Sequence, residues 1–257
     1  MSLIIICFTA CIASILTFFS GFGLGTLLLP VFAIWFPTPL AVALTAIVHF
    51  LNNIFKFVLI GRYLNKEVLL KFGLPALIFS FLGAKLLIKI SSLSPLYRYT
   101  LFEKNFEILP IKLILAFIIF IFVLIEGTSY LKNISIPLSF LPLGGMVSGF
   151  FGGLSGHQGA LRTIFLSKMN LSKESFVATG TTISILVDMA RLTIYFKTWK
   201  QTSLSSQGYL IFWVVLSAFL GAYLGNTLLQ KITFNLVHRI ISISLMLLAL
   251  SLGLGFI

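Results

Sequence analysis

The sequence predicts an all-α integral membrane protein with about eight transmembrane helices in two repeated halves, each with a glycine-rich broken or re-entrant segment. Hydrophobic residues make up 59% of the 257 residues and charged residues only 9%, and the mean hydropathy is +1.11. A soluble domain carries about 25% charged residues. We therefore expect a multi-pass protein of the cell membrane, either the inner or the plasma membrane.

Eight apolar stretches predict the spans, because a helix needs about 20 residues to cross the hydrocarbon core. The connection between the third and fourth, Ser91 to Pro110, is the least apolar part of the chain, and we expect a surface loop with a short interfacial helix there. The eight stretches are 3–19, 39–60, 70–90, 111–131, 138–154, 174–196, 209–229 and 236–256.

Two segments interrupt this pattern with glycine and proline. Short apolar stretches broken by these residues are typical of re-entrant or discontinuous helices. Irregular backbone is tolerated at membrane depth only where protein or a cavity covers it. The first segment, 20–36, contains Gly21, Gly23, Gly25 and Pro30, and the second, 148–168, contains Gly149, Gly152, Gly153, Gly156 and Gly159.

The order of the elements indicates a duplication, with a first transmembrane repeat at 1–130 and a second at 131–257. In both halves a glycine-rich segment precedes a helix with a polar face. Whether the halves are parallel or inverted is open from the sequence. A constant offset of 135 residues aligns Asn53 with Asp188 and Lys56 with Arg191.

The polar faces of these two helices are the main functional signal. A charge in hydrocarbon costs roughly 2.5–3.5 kcal/mol on insertion scales, so such residues face a protein interior or a watery cavity. Spacings of three and four residues place each set on one side of a helix. The sets are Thr45, His49, Asn52, Asn53 and Lys56, and Thr181, Ser184, Asp188, Arg191 and Tyr195.

Each ionisable residue on these faces has a structural and a functional interpretation. Asp188 and Arg191 either form a structural ion pair, or Arg191 binds an oxyanion while Asp188 holds it or carries protons. Lys56 either extends to the membrane interface or binds an anion from the solute or the other half. His49 is either a satisfied hydrogen-bonding residue or a proton relay.

The second glycine-rich segment predicts an anion cradle. Glycine lets free N–H groups converge on one point, and a helix beginning near His157 would direct its positive N-terminal end there. Ser155 and Gln158 add hydrogen-bond donors beside Gly156, and Arg162 follows one turn later. The alternative is a tight helix–helix contact that uses glycine for close approach.

These motifs resemble the TauE/SafE family of sulfite exporters and related anion transporters. The resemblance implies a secondary transporter of small sulfur-containing or organic anions with a duplicated four-helix unit. The chain departs from the commoner glycine triplet with GLGT at 23–26 and SGHQG at 155–159, where substrate would bind. The matching stretches are SGFGLGTLLLP at 20–30, PLAVALTAIVHFLNNIFK at 39–56, SGFFGGLSGHQGALR at 148–162 and ESFVATG at 174–180.

The predicted function is therefore secondary transport of small anions, such as sulfur oxyanions, organosulfonates or organic acids, held between the two repeats. The predicted substrate-binding residues are Gly23, Gly25, His49, Asn53, Lys56, Ser155, Gly156, His157, Gln158, Arg162, Asp188 and Arg191.

The expected partners are a small anionic solute and membrane lipids, while proton coupling and a homo-oligomer stay open. The net charge of +12 is scattered among spans and short loops, which indicates topology and headgroup anchoring rather than nucleic-acid binding. We expect no metal, cofactor or catalytic residue, and no phosphate-binding GxxxxGK[ST] motif occurs. The alternatives are a membrane enzyme using Ser155 and His157, and a scaffold that does not transport.

Overall fold

Helices account for most of the chain in the computed structural model, which describes residues 2–20, 23–101, 103–127, 137–198, 207–227 and 234–256. A five-residue π-helical segment, Leu69–Gly73, joins α4 to α5. The helices are α1 (Ser2–Ser20), α2 (Gly25–Trp35), α3 (Thr38–Ile60), α4 (Lys66–Val68), α5 (Leu74–Ser91), α6 (Pro110–Gly127), α7 (Leu141–Ser155), α8 (Gly159–Leu166), α9 (Lys173–Thr198), α10 (Gly208–Thr227) and α11 (Phe234–Gly253).

A helix lies at each of the eight predicted positions, and the protein is a multi-pass helical membrane protein. The count of eight crossings stays a prediction, because α1, α2, α6 and α11 contain shorter apolar stretches. The predicted boundary between the halves, after residue 130, lies outside the described residues. Five described segments are long and apolar enough to cross a membrane: Thr38–Tyr63, Lys66–Ser91, Leu138–Ser155, Lys173–Lys197 and Gly208–Thr227.

The connection between α5 and α6 is an antiparallel hairpin of β1 (Tyr97–Leu101) and β2 (Lys104–Ile108). The predicted short interfacial helix was therefore wrong. The physical reason is that aromatic residues alternate with polar ones along β1, which is the period of a strand. The register places Tyr99 opposite Phe106, and their rings stack with centroids 5.4 Å apart.

Both glycine-rich segments coincide with helix breaks. The first separates α1 from α2, and the second separates α7 from α8. At the second break Gly156 has a φ of +81°, a left-handed conformation that residues with a Cβ atom rarely adopt. Pro30 lies within α2 without ending it. The prediction of a discontinuous helix at each position is therefore consistent with the described backbone.

Glycine also allows α7 to pack closely against the continuous helical segment Lys66–Ser91, which ends in α5. A Cβ atom at Gly145 would overlap the backbone of Phe72, and one at Gly153 would overlap the backbone of Ser80. Gly149 lies between them and contacts this segment in the same way. The close-contact interpretation thus holds for this part of the glycine-rich segment. Because the contacts advance together along the two segments, α5 and α7 run in the same direction.

The first and tenth helices form a similar parallel pair. A Cβ atom at Gly221 of α10 would contact Ser14 of α1 at 2.9 Å, and one at Gly225 would contact Phe18 at the same distance. The contacts again advance together along both helices, so α1 and α10 run in the same direction.

The central pair, α3 and α9, runs in opposite directions. His49 contacts Asp188 in the middle of the two helices, whereas Ile60, at the end of α3, packs with Val177, near the start of α9. These two helices are also the most buried of the five candidate spans. The polar faces predicted from the sequence therefore meet at the centre of the protein.

Candidate functional site

A buried hydrogen-bonded network joins α3 to α9. Asp188 Oδ2 accepts a hydrogen bond from His49 Nδ1 at 2.6 Å. Asp188 Oδ1 accepts from Arg191 Nε at 2.9 Å and lies 2.7 Å from Arg191 Nη2. None of the three residues is more than 1% exposed. Each carboxylate oxygen thus has a partner, which offsets the cost of removing the charge from water.

The first glycine-rich break packs against this network. A Cβ atom at Gly23 would overlap the His49 imidazole, and one at Gly25 would lie 3.2 Å from the Thr45 methyl group. On the same face of α3, Asn53 Nδ2 lies 3.2 Å from each ring nitrogen of His49. Glycine at position 23 therefore lets the chain approach the imidazole closely.

A partly enclosed cavity adjoins the network, with about 310 Å³ of space that no protein atom fills, counting the part that opens outward. It lies at the C-terminal part of α3 and the N-terminal part of α9. Glycine and apolar residues form part of its lining, namely Phe18, Gly23, Phe176, Val177 and Gly180. The polar lining consists of Thr17, Asn53, Lys56, Arg162, Thr181 and Ser184.

Lys56 and Arg162 give this cavity two positive charges, and none of its described lining residues is acidic. Lys56 is only 3% exposed, and its Nζ lies 5.2 Å from the centroid of the Phe18 ring. This burial overturns the alternative in which Lys56 extends to the membrane interface. Among the residues with described side chains, no carboxylate forms an ion pair with Lys56.

Arg162 reaches the cavity from α8, the short helix that follows the second break. It is 4% exposed, and its Nη1 donates a hydrogen bond to Ser184 Oγ. A Cβ atom at Gly180 would lie 3.2 Å from Arg162 Nε. The bond to Ser184 and the contact with Gly180 fix the guanidinium against α9, where its charge faces the cavity.

The second glycine-rich break lies at the other end of the network, against the C-terminal half of α9. A Cβ atom at Gly156 would lie 2.6 Å from Arg191 Nη1. Tyr195, one turn further along α9, donates a hydrogen bond to the Gly153 carbonyl at 2.9 Å. The break is therefore held against α9 at a different level from the cavity.

Within this break, His157 and Gln158 are 3% and 1% exposed. His157 Nδ1 lies 3.1 Å from the Ser155 carbonyl, and Ser155 Oγ donates to the Phe151 carbonyl at 2.9 Å. Neither His157 nor Gln158 is among the cavity-lining residues. Apart from Arg162, which lines the cavity, the residues of the predicted cradle therefore lie in a separate buried polar region.

The structure divides the predicted site residues into three groups. Gly23, Asn53, Lys56 and Arg162 line the cavity. His49, Asp188 and Arg191 form the network, with Gly25 packed against α3, while Ser155, Gly156, His157 and Gln158 form the second break. The contact of Arg191 with an anion stays a prediction, because in this conformation its guanidinium binds Asp188.

Sequence reasoning missed several cavity residues. Thr181 and Ser184 belong to the polar face of α9, but they were not assigned to the site. Thr17 lies in an apolar helix that also contains Thr9 and Ser14, and its hydroxyl donates to the Ala13 carbonyl at 2.7 Å. Nothing in the sequence distinguishes it from these other hydroxyl residues. Phe176 resembles any core residue in the sequence. They belong to the site because α1 and α9 line the same cavity as α3.

Broken helices around a buried, positively charged cavity define a class of helical membrane proteins with a polar site at membrane depth. Within this class, the chain belongs to the TauE/SafE family of membrane transport proteins. The family model described as "Sulfite exporter TauE/SafE" matches residues 6–252, which confirms the resemblance predicted from the glycine-rich motifs. Comparison with curated proteins and with solved structures gave no match.

Proposed function

We propose that the protein is a secondary transporter of small anions that binds its solute in the cavity between Lys56 and Arg162. The observation that carries this proposal is that both cations are buried beside a space whose described lining contains no acidic residue. Charges at membrane depth are costly and typically mark solute or ion pathways. An anion in the cavity would be attracted by both side chains.

The lining favours an oxyanion over a simple halide. An ammonium and a guanidinium group form strong charge-assisted hydrogen bonds with carboxylate-like or sulfonate-like oxygens. The Asn53 amide, which also lines the cavity, adds a neutral donor. The apolar side of the cavity, with Phe176 and Val177, suits a short organic group. Sulfur oxyanions, organosulfonates and small organic acids are the proposed solutes.

The proposed architecture consists of two repeats, residues 1–130 and 131–257, with the solute between them. Support comes from the helix pairs, because α1 packs with α10 and α5 with α7, so that each pair joins the two halves. The opposite directions of α3 and α9 favour an inverted relation. Eight crossings of the inner or plasma membrane and rocking of one half against the other complete this proposal.

The alternatives have less support. A hydrolase would need the Ser155 hydroxyl beside the His157 imidazole with a carboxylate to orient it. In the structure the hydroxyl donates to the Phe151 carbonyl instead, and the imidazole Nδ1 lies beside the Ser155 carbonyl. A scaffold without transport gives no reason to bury Lys56 and Arg162 beside a cavity.

Uptake into proteoliposomes tests the proposal. Labelled sulfite, thiosulfate, sulfate and a small sulfonate are offered with and without a pH gradient, which also tests proton coupling. We expect saturable uptake of at least one anion and a loss of about tenfold or more in Lys56→Met and Arg162→Gln. Lys71→Met and Arg62→Gln, which remove cations at exposed or half-exposed positions outside the cavity, are the matched controls.

Two results would contradict the proposal. One is that folded, inserted protein takes up none of the four anions. The other is uptake of an anion that the cavity variants and the control variants support equally well, because the buried cations would then have no part in binding.

A further inference from the structure

We infer that the protein has a second anion site at the break between α7 and α8, formed by His157, Gln158 and Arg191. This site would hold the solute when the transporter is open to the side of the membrane opposite the cavity. The inference rests on the proposed transport function and adds to it a second set of binding residues.

The two regions lie at different levels of the membrane. The cavity lining extends along α9 as far as Ser184, whereas Arg191 contacts the second break seven residues further along the same helix. At about 1.5 Å per residue, the near edges of the two levels are roughly 10 Å apart, about a third of the thickness of the hydrocarbon core. The contact between His49 and Asp188 lies between them. A solute that crosses the membrane along α9 must therefore pass from one level to the other.

Unpartnered polar atoms at the second level point to a ligand. His157 Nε2 and both polar atoms of the Gln158 amide are buried and have no hydrogen-bond partner among the described residues. Leaving such a group unpaired costs about 1–3 kcal/mol, so native proteins rarely keep one without a reason. One of these atoms, Gln158 Nε2, is a donor, whereas Gln158 Oε1 and His157 Nε2 accept, because His157 Nδ1 donates to the Ser155 carbonyl. A site for an oxyanion that carries a proton would leave such a set unpaired while its ligand occupies the other level.

The relation between the halves gives an independent reason. At the offset of 135 residues, Arg191 is the counterpart of Lys56 and Asp188 is the counterpart of Asn53. The helices α3 and α9 run in opposite directions. If the two halves exchanged their conformations, the cavity beside Lys56 would therefore close and an equivalent cavity would open at the level of Arg191. Inverted repeats are a known basis of alternating access in secondary transporters.

The chemistry of this region suits the same class of solute as the cavity. The Gln158 amide offers N–H donors, and the Arg191 guanidinium offers positive charge and further donors. Gly156 brings the backbone next to that guanidinium, at a position where a Cβ atom would collide with Nη1. A small oxyanion would therefore be bound here by neutral and charged donors together.

Labelling of single cysteines from each side of the membrane tests the inference. The native cysteines, Cys7 and Cys11, are first replaced by alanine. Gln158→Cys and Thr181→Cys are then exposed to a membrane-impermeant maleimide, in right-side-out and in inside-out vesicles. Val187→Cys, at a fully buried apolar position close to Gln158, is the matched control. It measures how fast the reagent labels a buried cysteine that lies outside both proposed sites.

We expect Thr181→Cys to be labelled from one side and Gln158→Cys from the other, each several-fold faster than Val187→Cys. Sulfite at saturating concentration, or the anion found in the uptake assay, should slow both reactions. If Gln158→Cys does not fold, His157→Cys replaces it.

The inference is overturned if the cysteine at the second break reacts from the same side as Thr181→Cys. It is also overturned if that cysteine reacts no faster than Val187→Cys from either side while the denatured protein labels fully. Uptake measured in parallel on the cysteine-free background separates this result from failure of the proposed function. If uptake is normal and the cysteine at the second break does not react, only the second site is refuted. If no uptake is observed, the transport proposal itself is refuted.

Discussion

Replacing Lys56 with methionine should change protein stability and anion binding in opposite directions. Lys56 is 3% exposed and has no carboxylate partner among the side chains that the structure describes. Burying an ammonium ion costs several kcal/mol, and its contact with the Phe18 ring returns about 2 kcal/mol. Methionine fills a similar space and keeps a favourable sulfur–aromatic contact. We expect the anion-free variant to be more stable than the wild type by about 1–3 kcal/mol.

Binding should respond with the opposite sign. A hydrogen bond to a charged group contributes about 1.5–3 kcal/mol, so its loss should weaken anion binding roughly 10- to 150-fold. The Arg162 guanidinium, which lines the same cavity, remains and should keep residual affinity. The magnitude follows from one lost charge-assisted contact rather than from the loss of the site.

Thermal unfolding of the purified protein in detergent, over a range of anion concentrations, measures both effects. A ligand stabilises the folded state by RT ln(1 + [L]/Kd), which gives about 2.7 kcal/mol at 100 times Kd. Lys71→Met is the control, because Lys71 pairs with Glu67 at an exposed position and should shift stability by less than about 1 kcal/mol. A variant that is less stable without anion, or that keeps the wild-type dependence on anion, would refute the assignment of Lys56 as an anion-binding residue.

Two further substitutions test the framework around the site. Gly149→Ala should destabilise the protein by about 1–3 kcal/mol, because its Cβ would lie 2.5 Å from Ala76 Cα, whereas Gly208→Ala, with nothing within 4 Å, should be nearly neutral in the same melting experiment. Asp188→Asn should cost about 3–5 kcal/mol by leaving a buried guanidinium unpaired. Adding Arg191→Gln should recover part of that loss, and a double variant no more stable than the single one would contradict this account.

The sequence predicted the helices and the polar faces well, because hydrophobic length and helical spacing are local properties. The predicted spans agree with the observed helices to within a few residues, except that the interfacial helix before α6 is a hairpin. The i,i+3 spacing of Asp188 and Arg191 also predicted their contact. Each of these features depends on residues that lie close together in the chain.

The division of the polar residues among cavity, network and break could not be predicted in this way. It depends on the directions and register of α3 and α9, which bring His49 rather than Lys56 to Asp188. A shift of about two turns along α3 would have joined Lys56 to that carboxylate and removed the unpaired cation from the cavity. Contacts between residues more than a hundred positions apart fix this register, and no local spacing encodes them.

The position of the network bears on how transport would work. His49 and Asp188 join the two central helices by a buried contact of 2.6 Å, which lies between the two proposed binding levels. A rotation of the halves about this contact would widen one level while narrowing the other and would leave the buried carboxylate paired throughout. A pivot elsewhere would have to break the contact in every cycle, at a cost of several kcal/mol. We therefore propose that the network is the axis of the rocking motion.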